Sequence, residues 1–289
     1  MKRIKSFFVF FIILVFCVSP SIADWRFSED ADAIEKAADS VFMIEVYSKN
    51  NQRIAVGSGF VAFDSSTLVT NYHVIEGGAY IVAISDDNEK YVLDQLCATD
   101  RQKDIAIFRS KDSVLAEPLP LDEDSSLKRS QTVVAIGSPA GLMNTVSIGN
   151  ISAFYKKDGK DWIQFTAPIS SGSSGGALLN DQGNVIGITT ATYASTQNIN
   201  MAVKAKYVIS LYHSWDKKTT LGLDGKKGQN TSLVVDVPAA AQDTNHVYVT
   251  STGKRYHNNP GCSGMHNPIE MDLLDAIEKG YEPCGKCYK

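Results

Sequence analysis

Three reactive side chains sit in segments whose neighbours suit their chemistry. His73 follows the β-like run Leu68-Val69-Thr70, where the end of a strand can present an imidazole to a cleft. Asp104 precedes the alternating apolar run Ile105-Ala106-Ile107-Phe108, so a carboxylate enters beside a buried strand. Ser174 lies in Ser170-Ser171-Gly172-Ser173-Ser174-Gly175-Gly176-Ala177. A serine hydroxyl is a weak nucleophile at neutral pH and needs a general base within hydrogen-bond reach. A histidine held in one tautomer by a buried carboxylate is such a base. Gly172 permits a turn that aims successive backbone N–H groups into one hole, and Gly175 with Gly176 leaves room for a substrate backbone. The chain order is His, Asp, Ser, with intervals of 31 and 70 residues. Each residue alone would more often be structural; together they point to nucleophilic acyl transfer.

A second group lies at the C-terminus. Four cysteines follow residue 23, and three of them, Cys262, Cys284 and Cys287, fall in the last 28 residues. The Cys284-Gly285-Lys286-Cys287 spacing gives two thiolates the bite of a tetrahedral Zn²⁺, and His257 with Cys262 completes a Cys₃His set. His266 competes with His257 for the fourth place. Oxidation is the alternative, with Cys284 and Cys287 as a disulfide. A thioredoxin-like redox role lacks the accompanying βαβ pattern. Cys97 reads as a small buried hydrophobe.

The elements that must position these groups are mostly strands. Short β-rich runs cover Val41–Tyr47, Arg53–Phe63, Thr67–Thr70, Tyr80–Ile84, Ile105–Arg109, Thr132–Ile136, Asn150–Phe154, Trp162–Thr166, Ala177–Leu179 and Val185–Thr190. Turn signals such as Asp86-Asp87-Asn88 and Lys157-Asp158-Gly159 separate them, so this part is an all-β sandwich or barrel. A short helix over Asp30 to Ser40 precedes it and another over Ala205 to Trp215 closes it, with His213 capping or leaving its end. Residues 216–245 read as a linker with a candidate edge strand at Leu233–Val237. Beyond it come a strand at His246–Ser251 and a helix over Pro268 to Lys279, capped by Asn267 and stopped by Gly280.

The 289 residues are 44% hydrophobic and 21% charged, which supports a sizeable core and excludes a wholly disordered chain. Lys2, Arg3 and Lys5, the apolar run Phe7 through Val18 and the small-residue end at Ala23 read as a cleaved export signal. An uncleaved anchor and lipidation at Cys17 are the alternatives. Without residues 1–23 the chain has 25 Lys and Arg against 32 Asp and Glu, a net charge of −7. That charge argues against nucleic acid as a partner.

At these residues the chain resembles the trypsin-like serine peptidases of the HtrA (Deg) type. The resemblance rests on Gly57-Ser58-Gly59-Phe60, Thr70-Asn71-Tyr72-His73-Val74, Asp104-Ile105-Ala106, Ile136-Gly137-Ser138-Pro139 with Gly141, and Gly172-Ser173-Ser174-Gly175-Gly176-Ala177. It implies two packed six-stranded barrels, a chymotrypsin-like double β-barrel, with the site in the crevice between them. It assigns Ser174 as nucleophile, His73 as general acid and base, Asp104 as the acid that orients the histidine, and the N–H groups of Gly172 and Ser174 as the oxyanion hole. It places Ile169, Thr189, Thr190 and the Asn200-Met201-Ala202 stretch near the primary pocket; none is acidic, which favours a small or medium aliphatic residue over Lys or Arg. Ser173 stands where the family usually has Asn or Asp, and Ser171 where Pro is frequent. The missing acid implies that no zymogen cleavage is needed and that the loop is instead more mobile at rest. The tail resembles small α+β zinc modules related to the Ada metal-binding domain and stands where HtrA-type enzymes usually carry a PDZ domain.

The resulting expectation is a signal peptide over 1–23, a peptidase domain over 24–215, a linker over 216–245 and a Cys/His module over 246–289. The expected activity is that of an exported serine endopeptidase, periplasmic or extracellular, acting on polypeptides in quality control or processing. It needs no cofactor for catalysis, carries zinc in the tail, has no membrane contact beyond the signal and leaves a homo-oligomer open. The rival expectation is a latent peptidase-fold protein that recruits partners through the zinc module.

Overall fold

In the computed structural model, residues 26–110, 114–123, 126–192, 199–217, 219–222 and 227–228 are described, and in the tail 246–257, 259–262, 265, 267–272, 276, 279, 281–284 and 286–287. The export signal, the Leu233–Val237 run, His266 and Gly280 lie outside the described residues. Among those described, no helix is long and apolar enough to cross a membrane.

Helix α1 (Ala31–Ala38) follows a 3-10 turn at Phe27–Glu29, with the Asp30 carboxylate accepting the Ala33 N–H at 3.0 Å as its N-cap. Seven strands follow: β1 (Val41–Tyr47), β2 (Arg53–Val61), β3 (Thr67–Thr70), β4 (Tyr80–Ile84), β5 (Lys90–Val92), β6 (Gln95–Asp100) and β7 (Ile105–Arg109). Helix α2 (Tyr72–Ile75) interrupts them after β3. They form an antiparallel sheet in the order β6-β7-β3-β2-β1-β4-β5. Six further strands close a barrel in the order β10-β13-β12-β11-β8-β9: β8 (Thr132–Gly137), β9 (Thr145–Lys157), β10 (Lys160–Phe165), β11 (Ala177–Asn180), β12 (Val185–Thr192) and β13 (Asn200–Lys204). Helix α3 (Lys206–Ser214) ends this part.

The second barrel is closed as expected and the first is an open half-barrel. Its free side is taken instead by β14 (Thr220–Leu221), where Leu221 pairs Leu96 of β6, and by β15 (Lys227–Gly228) beyond it. The chain therefore returns to the first sheet after α3. Alternation along the strands sorts side chains into separate cores, including a small one of Met43, Tyr47, Tyr80, Val82 and Ile84 on the outer face of β1 and β4. Phe42, Ile44 and Val46 fill the first half-barrel, and Ile163, Phe165 and Leu178 fill the second. Between them lies a shared core in which Phe60, Val69, Ile105 and Ile107 meet Val134, Ile136, Ala177 and Ile188. Burying each such side chain stabilises the fold by about 1.5–3 kcal/mol, so this layer fixes the relative position of the two halves.

On the outer face of β1 the Glu45 carboxylate is fully buried, takes the Tyr47 hydroxyl at 2.5 Å and pairs with Arg53. Burial first, and the carboxylate second, push the Tyr47 phenol far above its ordinary range.

The tail holds two small sheets. β16 (His246–Val249) pairs antiparallel with β18 (Ile269–Asp272), and β17 (Arg255–Tyr256) pairs parallel with β19 (Glu282–Pro283). The expected helix from Pro268 is corrected here, because its first turn is strand β18. Asn267 has φ 51°, left-handed rather than the extended N-cap geometry, and Met271 packs against the small core of Val247, Val249 and Ala276.

Candidate active site

His73 rides on α2, directly after β3, and Asp104 ends the turn before β7; β3 and β7 are paired neighbours, with Thr70 opposite Ala106. Adjacent strand ends thus bring the two residues together across 31 positions. The Asp104 carboxylate holds the histidine at two points, accepting its backbone N–H on Oδ1 at 2.8 Å and meeting Nδ1 through Oδ2 at 2.7 Å. A carboxylate only accepts, so the Nδ1 proton faces Asp104 and Nε2 keeps its lone pair for a base. Asp104 is in the left-handed region at φ 61°, a conformation that Asp tolerates and most side chains do not. Asn71 supports it there: its buried amide donates to the Asp104 carbonyl at 2.8 Å and to the Thr190 hydroxyl at 3.1 Å.

Ser174 comes from the other half, in the loop before β11. Gly172 has φ 98° and Gly175 φ 91°, and a Cβ on Gly175 would stand 2.0 Å from the Ser58 carbonyl oxygen. The loop therefore needs glycine at both positions. Among the described residues nothing accepts the N–H of Gly172 or of Ser174, whereas those of Ser173, Gly175 and Gly176 are donated to Ser170, Thr189 and Ser173 carbonyls. These two N–H groups are thus left without an acceptor, as the donors of an oxyanion hole must be. The Ser174 hydroxyl itself donates to the Thr190 carbonyl at 3.1 Å.

Among the residues expected near a primary pocket, Thr189 is buried, with its hydroxyl on the Ser173 carbonyl. Thr190 is half-buried and its hydroxyl bonds the Ile188 carbonyl at 3.1 Å. Met201 is buried, Ile169 packs on the edge of the second core, and Asn200 donates to the Ala167 carbonyl at 2.7 Å. Cys97 is buried as expected, and burial pushes its thiol up to about 12. His213 sits in the last turn of α3, where it lines a hollow of about 320 Å³ with Phe63, Leu119, Leu121 and Ile209. Sequence reasoning missed the role of Ser58, a fully buried hydroxyl in β2 that touches this loop. A polar residue amid the buried end of a strand was its available signal.

In the tail, His257, Cys262, Cys284 and Cys287 converge, with ligand atoms all within 4.8 Å of one another. Cys262 Sγ and Cys284 Sγ are 4.0 Å apart, and Cys287 Sγ lies 3.7 Å from His257 Nδ1. Tetrahedral zinc with bonds of about 2.3 Å to sulfur and 2.0–2.1 Å to nitrogen has edges of about 3.8 and 3.6 Å, so the donor set fits such an ion. All four cysteines from Cys97 onward are free of disulfides. The Lys286 backbone N–H foremost lowers the Cys284 thiol to about 7, and burial lowers His257. Both shifts favour the deprotonated forms that bind metal.

With this geometry in view, the comparisons are specific. Residues 57–188 match the trypsin-like peptidase domain family. Residues 57–188, across the half-barrel and the closed barrel, are a trypsin-like peptidase domain similar to the HtrA-type serine proteases. Similar curated proteins include an anti-sigma-I factor of Acetivibrio thermocellus, 36% identical over 61% of this chain and 24% of that protein. They also include a putative serine protease, HhoA, of a Synechocystis species, 35% identical over 51% of this chain and 39% of that protein. A probable periplasmic DegP-like serine endoprotease of Chlamydia trachomatis is 38% identical over 48% of this chain and 29% of that protein. Among solved structures, the HtrA-type protease AlgW with tripeptide superposes with TM-score 0.58 at 29% identity, covering 64% of this chain and 62% of that one. A serine endoprotease of Yersinia pestis gives TM-score 0.55 at 26% identity over 62% and 64%. The trypsin-like domain thus spans less than half the length of these curated relatives.

Proposed function

We propose that the chain is an exported serine endopeptidase that cleaves polypeptides through an acyl-enzyme. The observation that carries this reading is the two-point hold of Asp104 on His73, together with a serine loop in which the N–H groups of Gly172 and Ser174 have no acceptor among the described residues. In the reaction a substrate carbonyl oxygen enters the hole made by Gly172 and Ser174. The Ser174 hydroxyl turns from Thr190 to His73 Nε2, and its oxygen attacks the carbonyl carbon while Nε2 takes the proton. Asp104 stabilises the imidazolium so formed. The tetrahedral intermediate collapses, the amine leaves with the proton from Nε2, and water repeats the sequence on the ester. The apolar surroundings of Ile169 and Met201 favour an aliphatic residue before the cleaved bond.

The same reading assigns residues 1–23 to a signal peptide, 24–215 to the peptidase, 216–245 to a linker and 246–289 to a Cys/His module, with a periplasmic or extracellular site of action in bacteria. Zn²⁺ is the ion this tail set suits, held by His257, Cys262, Cys284 and Cys287. Bound there, it would supply folding energy, because the four donors fill its coordination. The bond from Ser174 to Thr190 favours a second reading, a latent peptidase fold that binds partners through the module. Reaction of the mature chain with a fluorophosphonate separates the two. Adduct mapped to Ser174 and absent from Ser174→Ala supports the peptidase; a folded chain that stays unlabelled and leaves casein intact overturns it.

A further inference from the structure

The nucleophile loop belongs to the second barrel, yet a hydroxyl of the first sheet reaches into it. Ser58 in β2 donates its hydroxyl to the Gly172 carbonyl at 2.7 Å and its N–H to the Ser174 carbonyl at 2.7 Å. The Ser58 hydroxyl also accepts the Ser138 N–H at 2.8 Å, and its carbonyl takes the Thr70 hydroxyl at 2.6 Å, three residues before His73. From the other side, Thr189 of β12 donates its hydroxyl to the Ser173 carbonyl and accepts the Gly175 N–H on its own carbonyl.

Each of these contacts fixes one peptide plane. The plane from Gly172 to Ser173 is held by the Ser58 hydroxyl on one edge and by the bond from Ser173 N–H to Ser170 on the other. The plane from Ser173 to Ser174 has its carbonyl tied to Thr189 and to the Gly176 N–H, which turns the Ser174 N–H the opposite way, into the hole. The plane from Ser174 to Gly175 is held by Ser58 and Thr189 together. A peptide plane carries its N–H and C=O in opposite directions, so fixing a carbonyl aims the donor behind it.

We infer that Ser58 and Thr189 are positioning residues for the oxyanion hole, a two-sided clamp that aims the Ser174 donor and couples it to the sheet bearing the histidine. The inference rests on the peptidase reading of Ser174. Neither hydroxyl touches substrate; both act through the loop backbone. Both are also spent on backbone carbonyls and buried, which explains polar side chains in an otherwise apolar layer. The clamp links the base and the hole, since Ser58 is bound at once to Thr70 and to Gly172 and Ser174.

The test compares the mature chain with Thr189→Val, which keeps the volume and loses the hydroxyl, Thr189→Ser, which keeps the hydroxyl, and Ser58→Ala. The probe is a fluorophosphonate, whose fluoride is displaced by Ser174 with the hole holding the phosphoryl oxygen. The second-order labelling rate should fall about 10- to 100-fold in Thr189→Val and Ser58→Ala, a part of the about 10²–10³ that losing one hole donor costs. Thr189→Ser should stay within about 3-fold of wild type. The midpoint of the labelling pH profile should not move, because the contacts between His73 and Asp104 are untouched; only the plateau drops. Amide exchange at Gly175 and Gly176 should quicken in Thr189→Val, a readout that needs no catalysis. Wild-type labelling rates in both variants, or a loss matched by the unfolded fraction, would overturn the clamp. Unlabelled wild type would instead refute the peptidase reading, and unchanged amide exchange would then refute the clamp separately.

Discussion

Replacing Asp104 by Asn isolates what the carboxylate does, because the fold should tolerate the change. Asparagine accepts the left-handed φ of 61° as readily as aspartate, and its oxygen can still take the His73 backbone N–H now accepted at 2.8 Å. The amide nitrogen then faces Nδ1, at the position where Oδ2 stands 2.7 Å away. An NH₂ only donates, so Nδ1 must become the acceptor and the proton moves to Nε2, the atom that has to receive the Ser174 proton. Rotating the amide is worse, since it sets a donor against the His73 N–H. The charge is lost as well. At about 4 Å an ion pair is worth about 2–4 kcal/mol for an effective dielectric of about 20–40, and the upper part of that range is cut because the His73 side chain is 46% exposed. Wrong tautomer and lost charge together should lower kcat by about 10³–10⁴, with KM little changed. The assay is cleavage of labelled casein by the mature chain, with Ser174→Ala as the background. An Asn variant within about 10-fold of wild type, at an unchanged thermal midpoint, would refute the assignment of the tautomer to Asp104.

Further outcomes follow from the same structure. Gly175→Ala should abolish activity and cost roughly 2–4 kcal/mol in urea unfolding, since its Cβ would stand 2.0 Å from the Ser58 carbonyl oxygen at a φ of +91°. Arg53→Met should cost about 3–5 kcal/mol, because it strands the Glu45 carboxylate with no exposed surface, whereas Arg53→Met with Glu45→Gln should recover most of that loss. Cys97 should resist a thiol reagent at pH 8 until the protein is unfolded. Because its pKa and those of Tyr47 and Tyr91 are raised in the folded state, the unfolded chain gives up its protons first, and stability should fall as pH rises from about 9 to 12. The mature chain should carry one zinc per molecule by metal analysis, and Cys284→Ser should lose it while casein cleavage persists.

The parts of the fold that the sequence made legible are those with regular burial. Strands β1, β3 and β4 are buried at every position and β7 at all but its last, and they lie where expected. Strands β5 and β6 escaped because Lys90–Val92 is too short to show a period and Gln95–Asp100 mixes Gln, Thr and Asp with its buried residues. Gly149 and Asn150 make β9 look like a shorter strand, although it runs from Thr145 to Lys157. The tail strand β18 was mistaken for a helix because Asn267-Pro268 imitates a helix start, while its pairing with His246–Val249 is non-local. The site shows the same division. Reactive residues carry their own motif, whereas the partners of Ser58 and Thr189 lie 114 and 16 residues away, so a polar residue in a buried strand signals a contact but not what it touches.

The division of the site between the two halves also sets an order in time. A chain made from its N-terminus has strands β1 to β7 of the sheet that bears His73 and Asp104 well before Ser174, which follows Asp104 by 70 residues. Thr189 and Thr190, which back the serine, come later still, and β13 must arrive before the second barrel can close. A half-made molecule therefore owns a base without a nucleophile. On the peptidase reading, the growing chain is harmless to itself and to the machinery handling it until nearly all of the peptidase domain has emerged.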